Sequence, residues 1–147
     1  MAVQKHKLNI DVLNEGFFDD TRLLGIIAPV KNYQLCWLFN TLLGFNFKLN
    51  ADLEIHLRKK NRNYFFNIYE SKEPNSFLSH FLYHNQFDGE YLLPEFKHMD
   101  YLWLMKGDSV EDIKCNWIKD SIKSINGVQL VTELTHEQIK TKGNIVF

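Results

Sequence analysis

LLGIIAPVKNYQLCWLFNTLLG, residues 23–44, changes its repeat half-way. LLGIIAP, 23–29, is a continuous apolar run ended by a proline, which suits a central strand. From Val30 to Leu43 the apolar residues recur at three and four: Leu35, Leu38, Phe39, Leu42 and Leu43. That is the period of an amphipathic helix. Pro29 near its start and Gly44 just past its end have the expected asymmetry of helix punctuation.

The same reading extends outward on both sides. KHKLNIDVL, 5–13, alternates and predicts a half-buried strand. LEIHLR, 53–58, and NYFFNIYE, 63–70, flank the polar KKNR and predict a hairpin. SFLSHFLYHN, 76–85, predicts a third strand, and QFDGE carries an Asp-Gly turn signal. Pro94 to Met99 is expected to make one helical turn before the strand DYLWLMK, 100–106. A helix capped by Asp108 or Ser109 should run to about Ile125, burying Ile113, Trp117, Ile118, Ser121, Ile122 and Ile125. NG at 126–127 stops it, and VQLVTEL, 128–134, alternates as a strand. Thr135 with Gln138 predicts a last short helix ended by Gly143, after which the apolar tail NIVF packs down.

The resulting order, β-β-α-β-β-β-β-α-β-α, predicts a single α+β domain over 1–147. It is a two-layer sandwich, a mainly antiparallel sheet with two main helices on one face. The β-α-β…β-α-β subset resembles a ferredoxin-like core with an added hairpin. SINGVQLVTEL is similar to the close of small-ligand regulatory domains of the ACT type.

Composition narrows the function. The 147 residues are 45% apolar and 24% charged with net charge −1, an ordinary globular balance without the basic excess of a nucleic-acid-binding face. The aromatic share of 14% is high enough that some rings should line a groove or interface. Cys36 and Cys115 are separated and lack a CxxC, so two buried reduced thiols are expected. MAVQKHKLNIDV has no signal-peptide core and no apolar run could span a bilayer, so a cytoplasmic protein without membrane contact is expected.

Candidate chemistry concentrates in LLPEFKHMDY, 92–101. Glu95, His98 and Asp100 could perform acid–base work or hold a divalent ion. Alternatively, Pro94 and Glu95 open a helical turn, and Asp100 accepts backbone N–H groups where a strand begins. His80 and His84 have a helical metal-pair spacing, but on a strand they lie roughly 13 Å apart. RKKNR beside YFFNIY could stack RNA, yet lysine and arginine are normal at a hairpin turn. No phosphate-binding glycine motif or nucleophile elbow occurs, so no catalytic residue, metal or cofactor is assigned. Trp37, Trp103 and Trp117 are expected in the core.

Leu93-Pro94-Glu95, three residues, then Met99-Asp100-Tyr101 resembles the signature of the bacterial family named for its motif, IPExxxVDY. Leucine replaces isoleucine at 93 and methionine replaces valine at 99. Residues 23–44 and KTKGNIVF are similar to the family's early strand-helix unit and its usual end. The resemblance marks Glu95, Asp100 and Tyr101 as candidates without giving them a role, and Pro94, which matches too, is expected to be structural. The expectation is a non-catalytic domain that forms a homodimer, most simply through sheet edges or the aromatic hairpin, or binds a protein partner. A small-molecule regulatory domain comes next, then an enzyme using Glu95, His98 and Asp100.

Overall fold

The computed structural model describes residues 16–147, so the strand expected over 5–13 lies outside the described residues. Strand β1 (Arg22–Ile27) leads into helix α1 (Asn32–Leu43). Then come β2 (Lys48–Lys59), β3 (Arg62–Lys72), β4 (Ser79–His84) and a two-residue-armed hairpin, β5 (Gln86–Phe87) and β6 (Glu90–Tyr91). A 3-10 turn (Pro94–Phe96) precedes β7 (Tyr101–Lys106), α2 (Asp112–Lys123) and β8 (Leu130–Leu134), and a second 3-10 turn (Lys142–Ile145) follows.

Six strands form one antiparallel sheet in the order β2-β3-β4-β7-β1-β8. β1 lies between β7 and β8, so the β7-α2-β8 unit is split by β1. Removing β2 and β3 leaves β8-β1-β7-β4, a ferredoxin-like core, with the β2–β3 hairpin added beyond β4. The α+β sandwich is therefore present, and the extra hairpin is β2–β3 at one edge of the sheet. Lys60 and Asn61 both take positive φ between the paired Lys59 and Arg62, the backbone of a tight two-residue hairpin loop. Asp88 and Gly89 do the same between Phe87 and Glu90.

Both faces of the sheet are covered. On one, Leu24, Ile26, Leu82, Trp103 and Met105 pack against Leu35, Cys36 and Phe39 of α1 and Cys115, Ile118 and Ile122 of α2. On the other, Leu23, Phe66, Ile68, Phe81, Leu102 and Leu104 are covered by Leu92, Leu93, Met99, Ile139 and Ile145. This explains the unbroken apolar runs of β1 and β7: a strand buried on both sides cannot alternate. The apolar tail packs down as expected, Ile145 being fully buried. Gly25 makes room for the loop on that second face. A Cβ there would stand 2.9 Å from Met99 Sδ.

Several boundaries differ from expectation. α2 starts at Asp112 behind an extended Glu111, with no side-chain cap from Asp108 or Ser109. The Asp108 carboxylate accepts the next N–H, from Ser109, and so closes a local turn instead. Gln138 does accept the Thr135 N–H, but it closes a turn, and Gly143 lies inside the last 3-10 turn. β4 begins at Ser79, and just before it the Phe77 carbonyl oxygen lies 2.0 Å from where a Cβ on Gly107, at φ +110°, would stand. Only glycine permits that approach.

The helix faces need the largest correction. Trp37 is 62% exposed, Trp117 59% and Ile113 82%, although core packing was expected of all three. Leu42, assigned to the apolar face of α1, is also exposed. The buried stripe of α2 is Cys115, Ile118 and Ile122, with Ile125 just beyond it. In a 3.6-residue repeat, Ile113 and Trp117 share a face pointing away from that stripe. Trp103 is fully buried, as expected.

Candidate functional site

The 92–101 segment is a two-sided clamp. Glu95 sits in the 3-10 turn opened by Pro94, and its carboxylate reaches the C-terminal segment. Oε2 accepts the N–H groups of Lys140 (2.6 Å) and Thr141 (2.8 Å), and Oε1 accepts the Thr141 hydroxyl (2.7 Å). Asp100 faces the other way, toward the loop joining β1 to α1. Its Oδ2 accepts the Ala28 N–H at 2.8 Å, and the neighbouring Tyr101 hydroxyl donates to the Val30 carbonyl. Burial first, and then the Asp100 charge, push the Tyr101 hydroxyl well above its ordinary pKa, so it stays a donor. His98 is exposed, and its ring lies 6.5 Å from that of Phe96.

Glu95 and Asp100 thus serve different loops, and His98 bonds to neither. The expectation that Asp100 accepts a backbone N–H at a strand start matches the Ala28 contact. The clamp is held from beneath by a residue the sequence did not single out. Asn85 is fully buried. Its Nδ2 donates to the Phe96 and Met99 carbonyls (3.0 and 3.1 Å), and its Oδ1 accepts the Leu93 N–H (2.9 Å). Its own backbone bonds Leu92 and Asp100.

Partial burial raises the Glu95 pKa, but the bonds from Glu95's own backbone, Thr141 and Lys140 outweigh it and leave the carboxyl below its ordinary value. The stabilisation from this clasp is therefore fully present above the unfolded carboxylate pKa, about 4.3, and is lost as pH falls through the lower folded value. Glu95→Gln is expected to unfold at lower urea than the parent at pH 7, the gap narrowing toward about pH 3. A gap that ignores pH would show that the charge of Glu95 contributes nothing.

A second polar arrangement runs under the helix layer. Trp103 Nε1–H donates to His80 Nδ1 (2.9 Å), which leaves the proton of a neutral imidazole on Nε2. Nε2 lies 2.9 Å from Glu73 Oε1, and Lys114 Nζ donates to Glu73 Oε2 at 2.7 Å. Burial lowers the His80 pKa against the raising effect of Glu73, in agreement with a neutral ring. The His80–Glu73 contact is thus a hydrogen bond between a neutral donor and a carboxylate, and Lys114 supplies the counter-charge. For Glu73, burial alone raises the pKa, but the bonds from Lys114 and His80 bring it below the usual range. Both His80 ring nitrogens are occupied, and His84 stacks at an angle on Tyr101, so the two histidines belong to different surroundings.

Glu73 lines the wall of a cavity of about 550 Å³ between the end of α1, the end of β3 and the middle of α2. Leu43, Phe45, Trp117 and Ile118 provide its apolar lining, and Ser71 and Lys72 complete the β3 side. Trp117 is therefore a cavity residue, which its helical spacing alone did not reveal.

The basic hairpin loop is partly neutralised. Lys59 pairs with Glu90 (2.9 Å) and Arg62 with Asp88 (2.7 Å), both acids coming from the β5–β6 hairpin. Two of the four cations of residues 58–62 are thus shared with carboxylates, and Arg58 and Lys60 form no ion pair among the described residues. Cys36 and Cys115 are buried and free, and burial pushes the Cys36 thiol up to about 12. No helix among the described residues is long and apolar enough to cross a membrane.

Compared with known proteins, the chain matches no family model, no curated protein and no solved structure.

Proposed function

We propose that this chain is a non-catalytic, self-associating domain that pairs through the outer face of α1 with a second copy of itself. One observation carries the reading. The twelve residues of α1, NYQLCWLFNTLL, include no charged side chain, yet the helix covers the sheet from outside. A surface helix normally turns a charged face to water, whereas α1 exposes the uncharged Gln34 and Thr41 beside three large apolar side chains. On α1 the uncovered residues include Tyr33 (60% exposed) and Trp37, one turn apart. Tyrosine and tryptophan are the side chains that most often anchor interfaces.

A second copy is the favoured occupant because the helix brings no charge of its own to a two-fold axis, and the one cation beside its anchors, Lys31, lies over the Tyr33 ring at 6.0 Å. The non-catalytic part of the reading is supported by Glu95 and Asp100, whose carboxylates are engaged by backbone N–H groups. Membership of the IPExxxVDY family belongs to the same proposal and rests on Leu93-Pro94-Glu95 and Met99-Asp100-Tyr101, read as the clamp. A cytoplasmic setting accords with two buried free thiols.

Sedimentation velocity from about 1 to about 100 μM tests the pairing. The parent is expected to shift from monomer to dimer in that range, and Trp37→Glu to stay monomeric with an unchanged melting temperature. A parent that remains monomeric throughout overturns the proposal, as does a Trp37→Glu variant that dimerises equally well.

A further inference from the structure

We infer that the cavity between α1 and α2 binds a small uncharged aromatic carboxamide, its ring against Phe45 and Trp117, its N–H donated to Glu73 and its carbonyl accepting from the Ser71 hydroxyl. This site goes beyond the pairing through α1 and uses different side chains. At about 550 Å³ the cavity is within the usual range for small-molecule sites, and its lining is of the usual kind, apolar with a few placed polar groups.

The polar groups decide the ligand class. Glu73 is held from the core: Trp103 donates to His80, His80 Nε2 donates to Glu73 Oε1 at 2.9 Å, and Lys114 donates to Oε2 at 2.7 Å. Each carboxylate oxygen can accept two bonds and here accepts one, so both keep room for a ligand donor. Ser71 supplies the opposite function two residues earlier. It is buried, its Oγ accepts the Asn46 N–H at 2.9 Å, and its own O–H has no acceptor among the described residues. A buried donor without a partner is costly, and a ligand carbonyl removes that cost. An acceptor and a donor on one cavity wall match the N–H and C=O of an amide. Charge points the same way. Ser71 pairs with His80, which packs on Phe45 and Trp103 on the helix side of the sheet. The next side chain along β3, Lys72, therefore points to the opposite face. That leaves Glu73 as the charged side chain aimed at the cavity, and Lys114 compensates it. A carboxylate would be set against Glu73 and an ammonium beside Lys114, and both like-charge contacts are unfavourable. An uncharged head avoids both.

Titration calorimetry of the whole chain with phenylbutyramide, its dimethylated amide, phenylbutyrate and phenylbutylamine tests the assignment. The primary amide is expected to bind about tenfold more tightly than each of the other three. The dimethylated amide keeps the carbonyl and lacks the N–H donors. Trp117→Ala, at an exposed position and so expected to fold, should weaken the primary amide about tenfold. Ser71→Ala, with its melting temperature followed in parallel, should weaken it about fivefold. Trp37→Glu, which tests the pairing face, should bind it like the parent. Absence of saturable heat from the primary amide up to about 10 mM overturns the site. An acid or amine that binds as tightly as the amide overturns the uncharged head, and a dimethylated amide that does so overturns Glu73 as the acceptor. An undiminished Trp117→Ala overturns the location, and a folded Ser71→Ala with undiminished binding overturns Ser71 as the donor.

Discussion

Replacing Asn85 by alanine is expected to lower stability by about 4 kcal/mol, a large share of the total for a domain of this size. The side chain makes three hydrogen bonds in a fully buried position. Each is worth about 1 kcal/mol net when present. Alanine also strands the Phe96 and Met99 carbonyls and the Leu93 N–H away from water, and each stranded group adds its own desolvation cost. The loss would spread, because Asn85 supports the segment from which Glu95 grips residues 140–141 and Asp100 grips Ala28. Urea unfolding followed by circular dichroism reads the effect. Asn85→Asp should be nearly as damaging, since a carboxylate oxygen then faces two carbonyl oxygens. A loss below about 1 kcal/mol in Asn85→Ala would mean that water replaces the amide and that the clamp does not depend on it.

Trp103→Leu is expected to cost a similar amount, about 4 kcal/mol, for a different reason. The indole is fully buried in β7, where Phe39, Phe45 and Phe47 each meet it at 5.0 Å with their rings steeply tilted to its plane. Leucine leaves a void among three aromatic rings that belong to α1, the following loop and the approach to β2. It also removes the donor to His80 Nδ1. The two causes can be separated. Trp103→Phe keeps most of the ring packing and loses the donor, so about 2 kcal/mol is expected. Equal losses in the two variants would show the hydrogen bond to dominate, and a negligible loss in Trp103→Phe would show it to be incidental.

Much of the fold can be read along the chain. The period changes at Pro29, the bounds Gly44 and Asn126-Gly127, and the Asp-Gly turn at 88–89 each follow from short-range geometry. Backbone dihedrals and side-chain spacing act within a few residues, so the local sequence specifies them. The continuous apolar runs of β1 and β7 likewise announce strands covered on both sides.

Which side of a helix turns inward is a different matter. α1 is apolar around most of its circumference, and α2 carries two apolar stripes, Ile113–Trp117 and Cys115–Ile118–Ile122. Periodicity names the stripes and cannot rank them. The sheet does, because the helix buries whichever stripe lies over Leu24, Leu82, Trp103 and Met105. The clamp was half legible for the same reason. Pro94, Glu95 and Asp100 stand out because a proline and two acids before an apolar strand are conspicuous. Their partners are not near them in the chain: Thr141 is 46 residues from Glu95, and Ala28 is 72 from Asp100. Asn85 ends a strand like any turn asparagine, and its importance comes from the carbonyls that the folded loop brings to it. Short-range geometry made the elements. Long-range burial chose which side chains lost water, and so decided which polar atoms had to find partners.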